Sequence, residues 1–177
     1  MAAVAKSDMA AFKEIHERYF GKLMRFASRI VSNADTAEEV ANDTLMTVWR
    51  TAERFEGRSK PSTWMFGIAY RVALRARQKA ARRQGDVELD EELIGSEESG
   101  ADGVILKTDL TNALKRLTPD MRAVVELTYF NGYIYTEIAE ILECPVGTVK
   151  TRMMAARRRL REFLAEDKIL GKEQAHG

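Results

Sequence analysis

Between Tyr135 and Arg152 the chain reads YTEIAEILECPVGTVKTR, a run whose spacing gives a helix, a tight turn and a second helix. The first helix turns Ile138, Ala139, Ile141 and Leu142 inward, and the small Ala139 lets the second helix cross closely. Glu143-Cys144-Pro145 breaks the pattern. Proline disfavours helix in the residue before it, yet its fixed φ suits a helix's first turn. The second helix buries Val146, Val149, Met153 and Leu160 while turning Lys150, Thr151, Arg152 and Arg157 outward. An exposed basic helix, braced by a shorter one before it, suits entry into the DNA major groove. The plainer reading is a helical hairpin with a solvated basic face; the composition of that face favours DNA.

The formal net charge of +1 conceals strong segregation. From Arg71 to Arg83 every charge is positive, carried by Arg71, Arg75, Arg77, Lys79, Arg82 and Arg83. From Asp86 to Asp102 every charge is negative, carried by Asp86, Glu88, Asp90, Glu91, Glu92, Glu97, Glu98 and Asp102. Arg152, Arg157, Arg158, Arg159 and Arg161 form a second basic cluster. Such blocks say more about partners than the average does. The single cysteine, Cys144, excludes an internal disulfide and fits a reducing compartment, and its place in the turn suits packing. His16 and His176 are far apart, so no ligand spacing suggests a metal, and no cofactor motif is present. No stretch approaches the roughly 18 consecutive apolar residues of a membrane span, and the first residues carry no export-type pattern. The expectation is a cytoplasmic protein without membrane insertion.

Only three prolines and little two-residue alternation point to an all-α fold. From Asp8 to Ile30, Phe12, Ile15, Tyr19, Leu23, Phe26 and Ile30 recur at helical spacing. Asp35 reads as the N-cap of the next helix, with Glu38 completing a capping box. That helix, Thr36 to about Ala52, buries Ala37, Ala41, Leu45, Val48 and Ala52. Its other face carries Glu39, Asn42, Asp43, Met46 and Arg50. After an ordered loop, Thr63 or Ser62 reads as the cap of a third helix from Trp64 to about Arg83. Gly85 to Gly103 has too little apolar surface to offset ordering and reads as a flexible linker, although Leu89, Leu93 and Ile94 stand out within it. Helix resumes near Val104, where Leu110, Leu114 and Leu117 share a stripe. Thr118-Pro119-Asp120 supplies a cap, a proline at the first position and an acid at the positive end of the next helix. Phe163 and Leu164 extend the packing of the last helix.

Three segments in order carry a family resemblance. They are Ala34 to Arg50, Thr63 to Ala69, and Glu137 to Leu142 with Val146 to Arg152. Over about Asp8 to Leu164 the chain resembles bacterial sigma factors of the extracytoplasmic-function (ECF) group, compact members of the sigma-70 family. The resemblance implies two small helical domains, sigma domain 2 over residues 8–84 and helix-turn-helix sigma domain 4 over 104–168, joined by the acidic linker at 85–103. It also implies an alternative sigma factor rather than an enzyme, acting in a stress or envelope response. Its partners would be core RNA polymerase (β′ clamp and β flap), promoter DNA and an anti-sigma factor.

By the resemblance, Glu39, Asn42, Asp43 and Met46 meet a basic coiled coil on the polymerase clamp. Their three- and four-residue spacing puts them on one helix face. Asn42 stands where the family usually has glutamine. The −10 and single-strand contacts fall on Arg58, Ser59, Lys60, Ser62, Thr63, Phe66, Arg71 and Arg75: a loop with short polar side chains and cations suits a flipped base and its phosphates. Among the nearby aromatics, Trp64 reads as core and Phe66 remains available for stacking. Arg71 replaces the family's common asparagine, so no −10 preference carries over. The −35 contacts fall on Thr148, Lys150, Thr151, Arg152, Met154, Arg157 and Arg158. Lys and Arg suit guanine and the threonine methyl suits thymine, while the later arginines suit phosphates. Met154 and Ala155 stand where relatives carry larger groups. The acidic linker has two open readings, occupation of the polymerase's basic channels or a self-repelling spacer. The alternative for the whole chain is a helix-turn-helix regulator with an N-terminal sensing or dimerisation domain, which would bind duplex DNA alone.

Overall fold

Helix starts and stops set most of the architecture. The computed structural model describes residues 1–31, 33–84 and 112–174. A four-residue helix, α1 (Ala2–Ala5), places Val4 in the core. Asp8 then caps α2 (Met9–Ser28), its carboxylate accepting from the amides of Ala10 at 2.9 Å and Ala11 at 3.1 Å. These are two of the donors that a helix start leaves without partners.

The cap of α3 (Ala34–Thr51) differs from the sequence reading. Asn33, in extended backbone, accepts from Asp35 N at 2.7 Å and Thr36 N at 3.1 Å. Asp35 therefore lies inside the first turn, where its charge meets the helix's positive end instead of capping it. A short 3-10 turn (Ala52–Arg54) ends the element, and α4 (Pro61–Gln84) follows the loop. α4 starts earlier than expected because proline itself takes the first helical position, with the Trp64 amide already bonded to Lys60 O at 3.1 Å. Ser62 and Thr63 consequently sit within the first turn rather than capping it.

The C-terminal half begins with a helical turn over 112–115 that buries Ala113 and Leu114. Thr118 caps α5 (Pro119–Val125), its hydroxyl accepting from Met121 N at 3.4 Å. α5 widens into a π-helical turn (Glu126–Phe130) that buries Glu126 and Leu127 and turns Tyr129 and Phe130 outward. Gly132, at φ +72°, reverses the chain. α6 (Tyr135–Ile141) is closed at its start by Glu137, whose carboxylate accepts from Ile134 N at 3.1 Å. Glu143, at φ +51°, makes the left-handed step of the turn, and α7 (Val146–Gln174) follows. The acidic linker, its Leu89, Leu93 and Ile94, and the expected resumption of helix from Val104 through Leu110 lie outside the described residues.

α2, α3 and α4 pack around Leu23, Phe26, Val40, Ala41, Leu45 and Ala69; α5, α6 and α7 pack around Val124, Leu127, Ile138, Ile141, Val149 and Met153. All these side chains are buried, as the stripes in the sequence require. The two halves also meet. The Phe66 ring lies edge-on between Phe26 of α2, with centroids 5.2 Å apart, and Tyr133 before α6, at 5.4 Å. A Cβ placed on Gly67 would lie 4.0 Å from Ile141 Cα, so α4 and α6 approach almost backbone to backbone. No helix among the described residues is long and apolar enough to cross a membrane.

Candidate polymerase and nucleic-acid interfaces

The α3 face is presented as its spacing requires. Glu39, Asn42, Asp43 and Met46 are all exposed, while Val40, Ala41, Thr44 and Leu45 are buried behind them. The Thr44 hydroxyl donates to Val40 O at 2.6 Å, which satisfies a buried polar group without drawing on the outer face. Asp43 accepts from the Thr47 hydroxyl through its backbone carbonyl at 2.7 Å, which leaves its carboxylate out of that bond.

The candidate single-strand residues divide into free and covered sets. Arg58 and Arg75 are exposed, with Arg58 paired to Glu56, and Ser59 and Ser62 are half-buried. Lys60 Nζ lies 2.7 Å from Glu137 Oε1 of α6. Arg71 pairs with Glu143 in the helix-turn-helix turn. Thr63 and Phe66 are 3% and 1% exposed, because the first two turns of α4 direct them into the packing. Phe66 is therefore closed to base stacking in this arrangement. Trp64 is half-buried and tilted against Phe55 at 5.3 Å, in keeping with a packing role.

On α7, Lys150, Thr151, Met154, Arg157 and Arg158 form an exposed face, with Thr148 half-buried beside it. Arg152 does not join them. At roughly 100° of rotation per residue, it falls opposite Lys150, pairs with Asp120 of α5 and places Nη1 3.7 Å from Cys144 Sγ. The outward placement read from composition is thus corrected by helix geometry. Arg157 Nε donates to the Tyr129 hydroxyl at 3.1 Å, and Arg158 lies 3.9 Å from Glu162 one turn on. Arg157 and Arg161 also flank an apolar groove of about 520 Å³ walled by Leu114, Val125, Tyr129, Phe130 and Leu160.

Several groups that shape these surfaces escaped the sequence reading. The Tyr70 hydroxyl on α4 donates to Asp120 Oδ1 at 3.0 Å, and burial together with the facing Asp120 carboxylate pushes its pKa up. Glu126 is buried, accepts from Arg29 Nε at 3.1 Å, and has its pKa raised by burial against the opposing pull of Arg29. Its signal was a lone carboxylate inside the apolar run Ala123 to Phe130. The hydrogen bond from Lys60 holds the Glu137 pKa down. Arg122, desolvated and facing Arg77 and Arg29, is pushed down to about 10, and its Nε is buried with no partner among the described residues.

Comparisons with known proteins decide the family. Residues 15–83 match the model of sigma-70 region 2, and residues 107–160 match that of sigma-70 region 4. The ECF RNA polymerase sigma factor SigW of Bacillus subtilis is 30% identical, aligned over 92% of this chain and 94% of its own length. The chain belongs to the ECF group of the sigma-70 family. SigL of Mycobacterium tuberculosis, another ECF RNA polymerase sigma factor, is 29% identical over 94% of this chain and 96% of its own. Among solved structures, the sigma factor RpoE of Bartonella quintana, crystallised with the anti-sigma factor NepR, superposes with a TM-score of 0.70 at 30% identity. That likeness covers 88% of this chain and 97% of RpoE. CnrH, solved with the cytosolic domain of CnrY, shares the fold at a TM-score of 0.66 and 21% identity.

As an ECF sigma factor the protein is a transcription initiation factor. Region 2 contains the α3 face and the α4 cations, and region 4 contains the helix-turn-helix. Among its described residues, no three His, Cys, Asp or Glu side chains group so as to hold a metal ion.

Proposed function

We propose that this sigma factor docks on the polymerase clamp through Glu39, Asn42, Asp43 and Met46, and reads promoter DNA from two other surfaces. The observation that carries the docking role is an acid-and-amide face of α3 left wholly exposed while every apolar residue behind it is packed. Such a face complements a basic coiled coil. Lys150 and Thr151 stand at the accessible start of α7 for base edges of the −35 element, and Arg157 and Arg158 follow for phosphates. Arg58, Ser59, Lys60, Ser62, Arg71 and Arg75 serve the melted strand, with Thr63 and Phe66 behind them. The apolar groove beside Tyr129 and Phe130 offers a seat to the polymerase flap. The domain limits follow as 8–84, 85–103 and 104–168, and the polymerase supplies the chemistry. The site of action is the cytoplasm, in a stress or envelope response, and an anti-sigma factor restrains the protein as NepR accompanies RpoE.

The test is transcription in vitro with core RNA polymerase, a genomic promoter library and sequencing of start sites. New starts that share −35 and −10 elements and require the protein support the reading. Folded protein that neither binds core polymerase nor creates starts returns the chain to the regulator alternative.

A further inference from the structure

We propose that the junction of α2, α4 and α5 is an anion site, in which Arg29, Arg77 and Arg122 hold the terminal phosphoryl group of a small phosphate ligand. The three side chains come from three elements and are all half-buried. Arg29 closes α2 and donates from Nε at 3.1 Å to Glu126, which stands one turn after Arg122. Arg77 lies two turns beyond Tyr70, only about 20° away around α4. It therefore continues the face that Tyr70 lays against Asp120 of α5, and Ala73 between them is fully buried. Arg122 follows Asp120 by two positions and meets both other cations. Burial, and then Arg77 and Arg29, lower its pKa to about 10.

Charge and hydrogen bonding do not close at this junction. Glu126, with 4% of its side chain exposed, answers Arg29 alone. Asp120, the other acid of α5, is engaged by Arg152 and by the Tyr70 hydroxyl. All three guanidiniums remain protonated at pH 7, so among the described residues positive charge is in excess. Arg25, exposed one turn before Arg29, adds to the same field. Arg122 Nε is buried and finds no acceptor among the described residues. An unsatisfied buried donor beside like charges is costly, and an anion that reaches it relieves both costs. A phosphoryl dianion offsets the excess, and its oxygens accept from guanidinium forks in pairs. Arg29 gives Nε to Glu126, which leaves its Nη groups as donors. The Glu126 carboxylate opposes an anion here, and the three cations outweigh it. Convergence of half-buried side chains from three elements suits a small anion and excludes a duplex backbone.

Titration calorimetry of the full chain with sodium pyrophosphate tests the site, at about 0.3 M NaCl to screen diffuse attraction to exposed basic surfaces. Wild type should bind saturably, and its melting temperature should rise with pyrophosphate beyond the rise in sodium chloride of equal ionic strength. Arg122→Gln removes a desolvated charge that faces two others, so without ligand it should melt at the wild-type temperature or above. It should nevertheless lose at least ten-fold in pyrophosphate affinity, together with the ligand-induced rise. That combination separates a ligand-holding residue from one that merely holds the fold. Arg77→Gln should lose affinity in the same way, and it carries the test if Arg122→Gln does not fold. Lys13→Gln removes one charge from an exposed position on α2, where Lys13 pairs with Glu17, and should bind as wild type does. Adenosine diphosphate presents the same terminal phosphoryl group from a second source. Binding of both ligands assigns the site to that group on any carrier, and binding of pyrophosphate alone assigns it to free inorganic anions; either supports the site. Absence of saturable binding overturns the inference. Equal affinity in wild type, Arg122→Gln and Arg77→Gln overturns it as well, because the anion then sits elsewhere on the protein.

Discussion

The Tyr70 hydroxyl donates to Asp120 Oδ1 at 3.0 Å, and Asp120 pairs through its other oxygen with Arg152, so one carboxylate links α4, α5 and α7. Tyr70→Phe deletes a single donor and leaves Asp120 its charged partner, so the expected loss is about 1 kcal/mol of unfolding free energy. Asp120→Ala removes the acceptor of the Tyr70 hydroxyl and the charged partner of the Arg152 guanidinium, and should cost roughly 1–3 kcal/mol. Urea unfolding of the two variants measures the difference. Equal losses would mean that Arg152 finds another partner at no cost.

Arg29 and Glu126 form the most buried ion pair described, with 28% and 4% of their side chains exposed. Arg29→Ala strands a buried carboxylate and is expected to cost about 1–3 kcal/mol at pH 8. Adding Glu126→Gln should recover part of that loss. The pH dependence has a definite sign. Burial raises the Glu126 pKa, and removing Arg29 takes away the larger of the two cationic influences, Arg29 and Arg25, that oppose the rise. A carboxyl whose folded pKa lies above its unfolded value, about 4.3, binds its proton more tightly in the fold. Stability of Arg29→Ala should therefore recover as pH falls from 8 through the raised folded value. Thermal melts across that range check it, and a loss independent of pH would place the defect in packing.

Glu137 titrates with the opposite sign. Lys60 holds its pKa below the usual carboxylate range, so the pair contributes stability above the unfolded value of about 4.3. That contribution is lost as pH falls through the lower folded value. Lys60 is mostly exposed, which limits the effect to about 0–1 kcal/mol. Subtracting the acid limb of a Lys60→Gln titration from that of the wild type should leave a small positive difference at pH 6 that vanishes toward pH 3. Coincident curves would show that Lys60 contributes nothing to holding the halves together.

Apolar stripes were legible because they encode a local quantity, the face a helix must bury. The stripe from Phe12 to Ile30, the inner face of α3 and the Ile138–Ile141 pair all packed as their spacing required. Caps were less legible. Asn33 and Asp35 both have the chemistry of a cap, and only backbone geometry at Asn33 decides between them. Proline at position 61 likewise displaced the start of α4 from where Ser62 or Thr63 would have put it. Contacts between the halves were not legible at all. Tyr70–Asp120, Lys60–Glu137 and Arg71–Glu143 join residues that no periodicity relates. Arg152 shows the same limit within one helix, since composition marked it for DNA and rotation about α7 turned it to Asp120.

Charge reversal at Asp43 separates docking from folding. Its side chain is exposed, and the bond from the Thr47 hydroxyl ends on its backbone carbonyl. Asp43→Lys therefore removes nothing that holds α3, and it places a cation one turn after Glu39, a spacing worth a few tenths of a kcal/mol in a helix's favour. Thermal stability should be unchanged or slightly higher. Against a basic surface the same change replaces an attraction with a repulsion, and the expected loss of affinity for core polymerase is roughly ten-fold or more, about 1.4 kcal/mol. Val40→Ala, directly behind this face, should lower stability and polymerase binding together, because it opens a cavity in the α2–α3 packing. If Asp43→Lys behaves like Val40→Ala, the residue is structural; if it leaves polymerase binding untouched, the clamp meets another face of the protein.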